Sequence, residues 1–287
     1  MARSCGVARL VYNASLEQRS LAYRLAGQSV GWAAQDAEWV ALKKDPEFAW
    51  LTEVHSDVLG QSLRDLDTAF GRFCDGLAGD PRRHRKGERD SFRLCQRRIR
   101  NTRAGRVHVS IEVRRLNRGW GEVKLPGLHW VRFRWSRTSA GEIRNATVMR
   151  TPLGWELSLC VEDGVAPTPR REVGPAVGVD AGVAVSFACS DGELHRVPRP
   201  GRGVRERRLR LERRLARKRN GSRRRERTKR DLGRVKACEA RRRQDFLHKL
   251  TMSRVSEHAL IAIEDLKVRN MTRSARGTVE QPGTGVA

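Results

Sequence analysis

The sequence contains no Cys-x-x-Cys pair. Its six cysteines, Cys5, Cys74, Cys95, Cys160, Cys189 and Cys238, are scattered singly, so there is no zinc site in this chain by cysteine spacing. No apolar run approaches the ~20 residues that a membrane span needs. Met1-Ala2-Arg3-Ser4-Cys5 lacks the apolar segment of a secretory signal. A basic chain with these absences reads as cytoplasmic, nucleoid-associated when bound to DNA, with its thiols reduced. Acids are scarce as well: 33 Asp and Glu stand against 59 Lys and Arg, for a formal net charge of +26 and a pI of about 11.3. Such an excess repels itself in isolation and is neutralised by a polyanion. Charge alone therefore names nucleic acid as the partner class, and no basic amphipathic anchor points to a membrane.

What the chain has is 38% hydrophobic content over 287 residues, enough for two or three cores. Asp45-Pro46-Glu47 predicts a helix start, with Asp as N-cap and Pro at the first helical position. Ser56 is the expected cap of a stronger helix, in which Leu59, Leu63, Leu66, Phe70, Phe73 and Leu77 make one apolar face. Residues 80–89 read as an exposed basic loop. From about residue 106 the period changes to two. Val107, Val109, Ile111 and Val113 alternate with polar residues, Asn117-Arg118-Gly119 supplies a turn, and the alternation resumes in Val131, Phe133 and Trp135. After the Pro152-Leu153-Gly154 turn come Trp155, Leu157, Leu159 and Val161. Short strands at this spacing predict a small antiparallel β-barrel or sheet. Pro167 and Pro169 mark a linker.

The third region opens near residue 175. Val177 and Val179 lead into Asp180, and Ser190-Asp191-Gly192 is a hairpin turn. Two long basic helices follow, joined at Asn220-Gly221-Ser222. The run from Ala259 to Ile263 has the character of a strand buried on both faces, and it delivers Glu264. An ionised side chain in an apolar strand is costly unless something positive compensates it, and a divalent metal is the usual compensation where strand-end acids converge. The order of strand, hairpin, strand, helices and acid-ending strand is that of a ribonuclease-H-like fold. In that fold Asp180 and Glu264 project toward a common point. From pattern alone the pair reads equally as a turn-forming Asp-Ala-Gly and an exposed strand end. Asp265 faces the other way by alternation, and Asp191 belongs to a hairpin tip.

About half of residues 201–230 are Lys or Arg, including Arg207, Arg208, Arg213, Arg214, Arg217, Lys218, Arg219, Arg223, Arg224 and Arg225. A solvated helix surface would mix in more acids at i,i+4. Phosphate neutralisation explains the imbalance better. Lys249 extends the same basic surface toward the C-terminal strand.

Several phrases in fixed order carry a resemblance: Gly6–Asn13, Phe48–Leu51, Leu63–Phe70, Leu125–Val131, Gly178–Val183 with Ser190–Gly192, Arg214–Ser222, Asp245–Lys249 and Ile263–Met271. Together they resemble the TnpB family, OrfB-type insertion-sequence proteins that are RNA-guided DNA endonucleases related to type V CRISPR effectors. The resemblance implies an α+β multidomain chain. Residues 1–104 would form a helical recognition lobe, 105–170 a wedge-like β-barrel, and 171–287 a RuvC-like nuclease domain that is incomplete. It implies guide RNA from the transposon end and target double-stranded DNA as partners. It further implies Asp180 and Glu264 as catalytic and metal-binding carboxylates, and Mg²⁺ as cofactor. The family's CxxC…CxxC ribbon and third catalytic aspartate follow the Asn270-Met271 phrase and find no match here. The final 23 residues add only Asp265 and Glu280 as acids. The chain thus reads as truncated at both ends, with weak or absent cleavage expected. The alternative is a nuclease-deficient RNA-guided DNA-binding protein or repressor. A general RNA-binding protein accounts for the charge but not for the embedded carboxylates, and nothing supplies a strand-transfer site.

Overall fold

The computed structural model describes residues 1–88, 90–100, 107–138, 140–166, 173–182 and 185–266. Pro167, Pro169, Val183, the Asn270-Met271 phrase and Glu280 lie outside them. The chain forms two compact units, Met1–Ala166 and Pro167–Ala287, the first with helices and three small sheets and the second with helices and one four-stranded sheet among the described residues.

The first unit opens with helices. α1 (Ala2–Ala26) buries Val7, Ala8, Val11 and Leu16 on one face. It stops at Gly27, whose φ of 63° lets its N–H reach back to the Tyr23 carbonyl; glycine takes that left-handed position without a Cβ penalty. α2 spans Trp32–Leu42. The expected start at Asp45 is present, its carboxylate accepting from the Glu47 N–H at 2.9 Å, but the element is a 3-10 helix over Pro46–Glu53. α3 spans Ser56–Cys74, and its cap is His55 rather than Ser56: His55 Nδ1 accepts from the Asp57 N–H at 3.3 Å. Leu59, Leu63 and Leu66 are buried as their spacing predicts, whereas Phe73 and Leu77, at and beyond the helix end, are exposed.

A buried polar network ties these helices together. Gln35 is fully buried; its amide donates to the Ser15 carbonyl at 2.9 Å and to Gln18 Oε1 at 2.7 Å, and accepts from Arg19 Nε at 2.8 Å. Arg19 also pairs with Asp67 at 3.0 Å. Burial of an amide is tolerable because its donors and acceptor are matched.

Eight strands follow: β1 (Ser91–Cys95), β2 (Arg98–Arg100), β3 (Val107–Val109), β4 (Glu112–Arg115), β5 (Trp120–Leu125), β6 (His129–Arg134), β7 (Glu142–Thr151) and β8 (Gly154–Glu162). They form antiparallel sheets in the orders β1-β7-β8, β2-β3 and β4-β5-β6. Among the described residues this is no closed barrel. One reason lies at Gln96, whose side chain takes the place of a strand partner. Its Oε1 accepts from the Ile111 N–H at 2.7 Å and its Nε2 donates to the Ile111 carbonyl at 2.9 Å. Helices and strands share one core, in which Val11, Leu51, Leu59 and Leu63 meet Phe92, Leu94, Val123, Leu125 and Val148.

The second unit has β9 (Ala176–Asp180), β10 (Phe187–Cys189), β11 (Leu194–His195), α4 (Arg202–Ala216), α5 (Arg223–Glu257) and β12 (Leu260–Ile263). The sheet order is β11-β10-β9-β12, antiparallel except that β12 runs parallel to β9. The two basic helices break where expected. Ser222 caps α5, its Oγ accepting from the Arg225 N–H at 3.2 Å, and Leu211, Leu232 and Val235 form the small core between the helices. One expectation fails here. Among the described residues β12 is an edge strand and not buried on both faces: Leu260 is 52% exposed and Ile263 77%. An apolar run reports strand character, not what covers the strand. No helix among the described residues is long and apolar enough to cross a membrane.

Candidate functional site

Two strand ends form the acidic half of the site. Val177 is buried and anchors β9, and β12 pairs with it in parallel so that Ile261 lies beside Val177 and Ile263 beside Val179. The next residue on each strand is a carboxylate. Asp180 is the last residue of β9 and Glu264 directly follows β12, so the register brings the two positions next to each other, on strands about 4.8 Å apart in backbone spacing. Both are exposed, and neither enters an ion pair among the described residues. Gly182 permits the turn that follows Asp180: a Cβ there would come within 2.8 Å of the Val185 carbonyl oxygen. Beyond Glu264 the chain bends at once, the Leu266 N–H bonding the Glu264 carbonyl at 3.0 Å. Asp265 sits in that bend, and the residues after Leu266 lie outside the described ones. No group of three or more His, Cys, Asp or Glu side chains suited to a metal occurs among the described residues.

Arg254 holds this sheet to α5, a role that sequence reasoning missed. Its guanidinium is 8% exposed and donates to Asp191 at 2.9 Å and Glu193 at 3.0 Å, and pairs with Glu257 at 3.0 Å. Asp191 and Glu193 belong to the β10–β11 hairpin, which pairs with β9, while α5 runs directly into β12. The clamp thus ties together the two elements that deliver Asp180 and Glu264. Asp191 is the hairpin residue expected, now with a partner. A signal was available only as an arginine in a helix-ending segment, one among many.

The arginine stretch divides by partner. Arg225 donates from Nη1 to the Leu215 carbonyl at 2.5 Å and the Lys218 carbonyl at 2.9 Å, satisfying the C-terminal end of α4. Lys218 donates to the Arg224 carbonyl at 3.0 Å and to the Thr228 hydroxyl. Arg208 is half-buried and pairs with Glu239 at 3.3 Å. These three hold the two helices together. By contrast Arg207, Arg213, Arg214, Arg217, Arg219, Arg223 and Arg224 are exposed and have no side-chain partner among the described residues. Lys249 is exposed and pairs with Asp245 at 2.7 Å, an i,i+4 contact. Seven guanidinium groups without a side-chain partner among the described residues repel one another on this helix pair, a repulsion that a polyanion's phosphates would relieve.

Comparison with known proteins follows this division. Residues 158–275 match the OrfB_IS605 family, described as "Probable transposase". The whole chain is 34% identical over 286 residues to "Putative RNA-guided DNA endonuclease InsQ" of Escherichia coli (strain K12), covering 67% of that protein. The chain belongs to the TnpB family. A "Putative RNA-guided DNA endonuclease" of Streptomyces pristinaespiralis is likewise 34% identical over 280 residues, 96% of this chain and 65% of that protein. The chain thus spans about two thirds of the length of these TnpB relatives. The segment matched to the OrfB family contains both strand-end carboxylates and all eleven basic residues from Arg207 to Arg225.

Proposed function

We propose that this chain is a transposon-associated, RNA-guided DNA-binding protein of the TnpB type, carrying the first two carboxylates of a metal-dependent endonuclease site. The observation that supports this reading is the parallel pairing of β9 with β12, which runs to Val179 and Ile263, each followed directly by a carboxylate. In this reading residues 1–104 act as the recognition lobe, 105–170 as the wedge and 171–287 as the RuvC-like domain. The exposed arginines of α4 and α5 contact phosphates of the guide RNA, and guide pairing selects the target duplex.

Two exposed carboxylates fit part of a Mg²⁺ shell, since that ion is commonly held by one or two carboxylates with water and substrate phosphate completing six oxygens. When bound, the metal supplies activation of water and charge stabilisation at the phosphodiester. Asp180 and Glu264 each contribute oxygen donors from a strand end, and Arg254 keeps those ends in place through the hairpin and α5. Because no third acid joins them among the described residues, residues 1–287 alone are expected to cleave slowly or not at all. That same observation favours a second reading, guided DNA occupancy without cutting.

The test is guided cleavage of a target duplex with Mg²⁺. Residues 1–287 should bind and barely cut, and joining them to the family's downstream segment should raise the rate. Either Asp180→Ala or Glu264→Ala should then abolish it. Cleavage that survives both substitutions would exclude this pair from the site.

A further inference from the structure

The outer face of the β4–β5–β6 meander carries a pattern that the arginine-rich helices do not explain. Its inner face fills the core, with Val123 and Leu125 1% and 2% exposed. Its outer face has no such task among the described residues, yet it displays two tryptophans, Trp120 and Trp130, each 38% exposed. Cross-strand register sets Trp120 opposite Arg134 and Trp130 opposite Lys124, with Arg132 between them on the same face. The Arg114 guanidinium lies 4.2 Å from the Trp130 ring centre, and that of Arg134 4.9 Å from the Trp120 ring.

The bland explanation is that the cations merely cover the rings. Such contacts are weak at exposed sites, and they leave much of each indole in water. Arg134 has no carboxylate partner among the described residues, and Arg132 is 65% exposed with only a 3.8 Å contact to Glu122. Arg114 is held by Glu122 at 2.7 Å and Lys124 by Glu112 at 2.8 Å, so the surplus positive charge is that of Arg132 and Arg134; flat rings, neighbouring guanidinium planes and this surplus together match a nucleobase and its phosphates. A base can stack on the indole or slide between indole and guanidinium, while Arg132 and Arg134 meet the backbone. The rings stand four residues apart along β6, about 13 Å, so they offer two separate stacking positions to one strand. A duplex cannot use them, because its bases are already stacked on one another. Glu112 and Glu122 share the face, and their spare acceptor positions can take a hydrogen bond from a 2′-hydroxyl, which DNA lacks.

We propose that this face is a base-stacking platform for unpaired RNA, with Trp120 and Trp130 as its two stacking positions. The proposal rests on the reading that the chain binds RNA, but it uses residues of the first unit only. The full chain is titrated by fluorescence anisotropy against a labelled, unstructured single-stranded oligoribonucleotide, a blunt RNA duplex of equal length and the matching single-stranded DNA. The paired variant W120L/W130L should lose roughly tenfold or more of single-strand affinity. Its duplex affinity, thermal melting and dependence on salt should stay native, since no phosphate contact is removed. W120F/W130F should recover most of the loss, because phenylalanine still stacks. Native affinity in the leucine pair, an equal loss on single strand and duplex, or single-stranded DNA bound as tightly as RNA would each overturn the platform. The quadruple variant R213Q/R214Q/R217Q/R219Q separates the two ideas, as it should flatten the salt dependence instead. A chain that binds RNA with normal salt dependence yet ignores the tryptophans refutes only the platform, whereas a chain that binds no RNA refutes the underlying reading as well.

Discussion

Arg225 and Arg213 look alike in composition and do different work, and replacing each separates the two kinds of arginine. Arg225→Met keeps the aliphatic stem and removes both hydrogen bonds to the Leu215 and Lys218 carbonyls. Bonds from a charged donor contribute about 1.5–3 kcal/mol each. Arg225 is half-exposed, and water can take over part of the loss, so about 2 kcal/mol in total is the reasonable expectation. For a unit of this size that lowers the melting temperature by roughly 5–10 °C. The quadruple replacement of Arg213, Arg214, Arg217 and Arg219 by Gln removes exposed, unpaired groups and should alter stability by no more than about 0.5 kcal/mol. Its effect falls on RNA binding, where log affinity against log salt should flatten by about 0.7–0.9 per lost phosphate contact, roughly three in all. Calorimetry and a salt series of binding isotherms read the two effects. An Arg225→Met chain that melts normally but binds with a flattened salt dependence would refute the division.

Val177→Asp should destabilise the second unit by several kcal/mol, since it buries an unpaired charge at a 1% exposed position; Ile263→Asp, at an edge position 77% exposed, should melt nearly as native, and the reverse order would contradict the sheet. Arg254→Met should cost about 2 kcal/mol by releasing Asp191 and Glu193, with Arg254→Lys recovering part of it, and unchanged melting in both would dismiss the clamp. Burial pushes the Cys5 thiol up to about 11, so it stays protonated and unreactive at pH 8 while the exposed Cys74, Cys160 and Cys238 take a thiol reagent. A raised thiol pKa moves thiolate formation to higher pH, so rapid labelling of Cys5 in the native chain at pH 8 would contradict its placement.

Periodicity made the α3 face, the hairpin at Ser190–Gly192 and the break at Asn220–Ser222 legible before any coordinates, because each depends on neighbours in sequence. The pairing of the two acid-ending runs was legible for a different reason: both are apolar and strand-like, and their parallel register runs to Val179 and Ile263. What stayed hidden depends on partners distant in space. Nothing local distinguishes Arg225, bonded to carbonyls across a turn, from Arg224, free in solvent. His55 displaced Ser56 as a cap because its ring nitrogen accepts from the Asp57 N–H and its carbonyl from the Val58 N–H, which starts the helix one residue earlier. Gln35 reads as a surface residue until its three partners are assembled around it. The barrel expectation rested on strand spacing, which does not reveal that a side chain, Gln96, would replace one ladder.

The β9–β12 pairing also has a consequence in time. A chain emerging from the ribosome exposes β9 first, and the strand that completes its open side arrives some eighty residues later. At ordinary elongation rates of about 5–20 residues per second, that is a wait of roughly 4–16 s. Throughout it Val177 and Val179 present an unpaired edge to every neighbouring chain, the situation in which strands pair with the wrong partner. The segment made during the wait is α4 and α5, whose like charges hold nascent copies apart. The residues proposed to meet phosphate in the finished protein thereby guard this late-completed pairing while it forms.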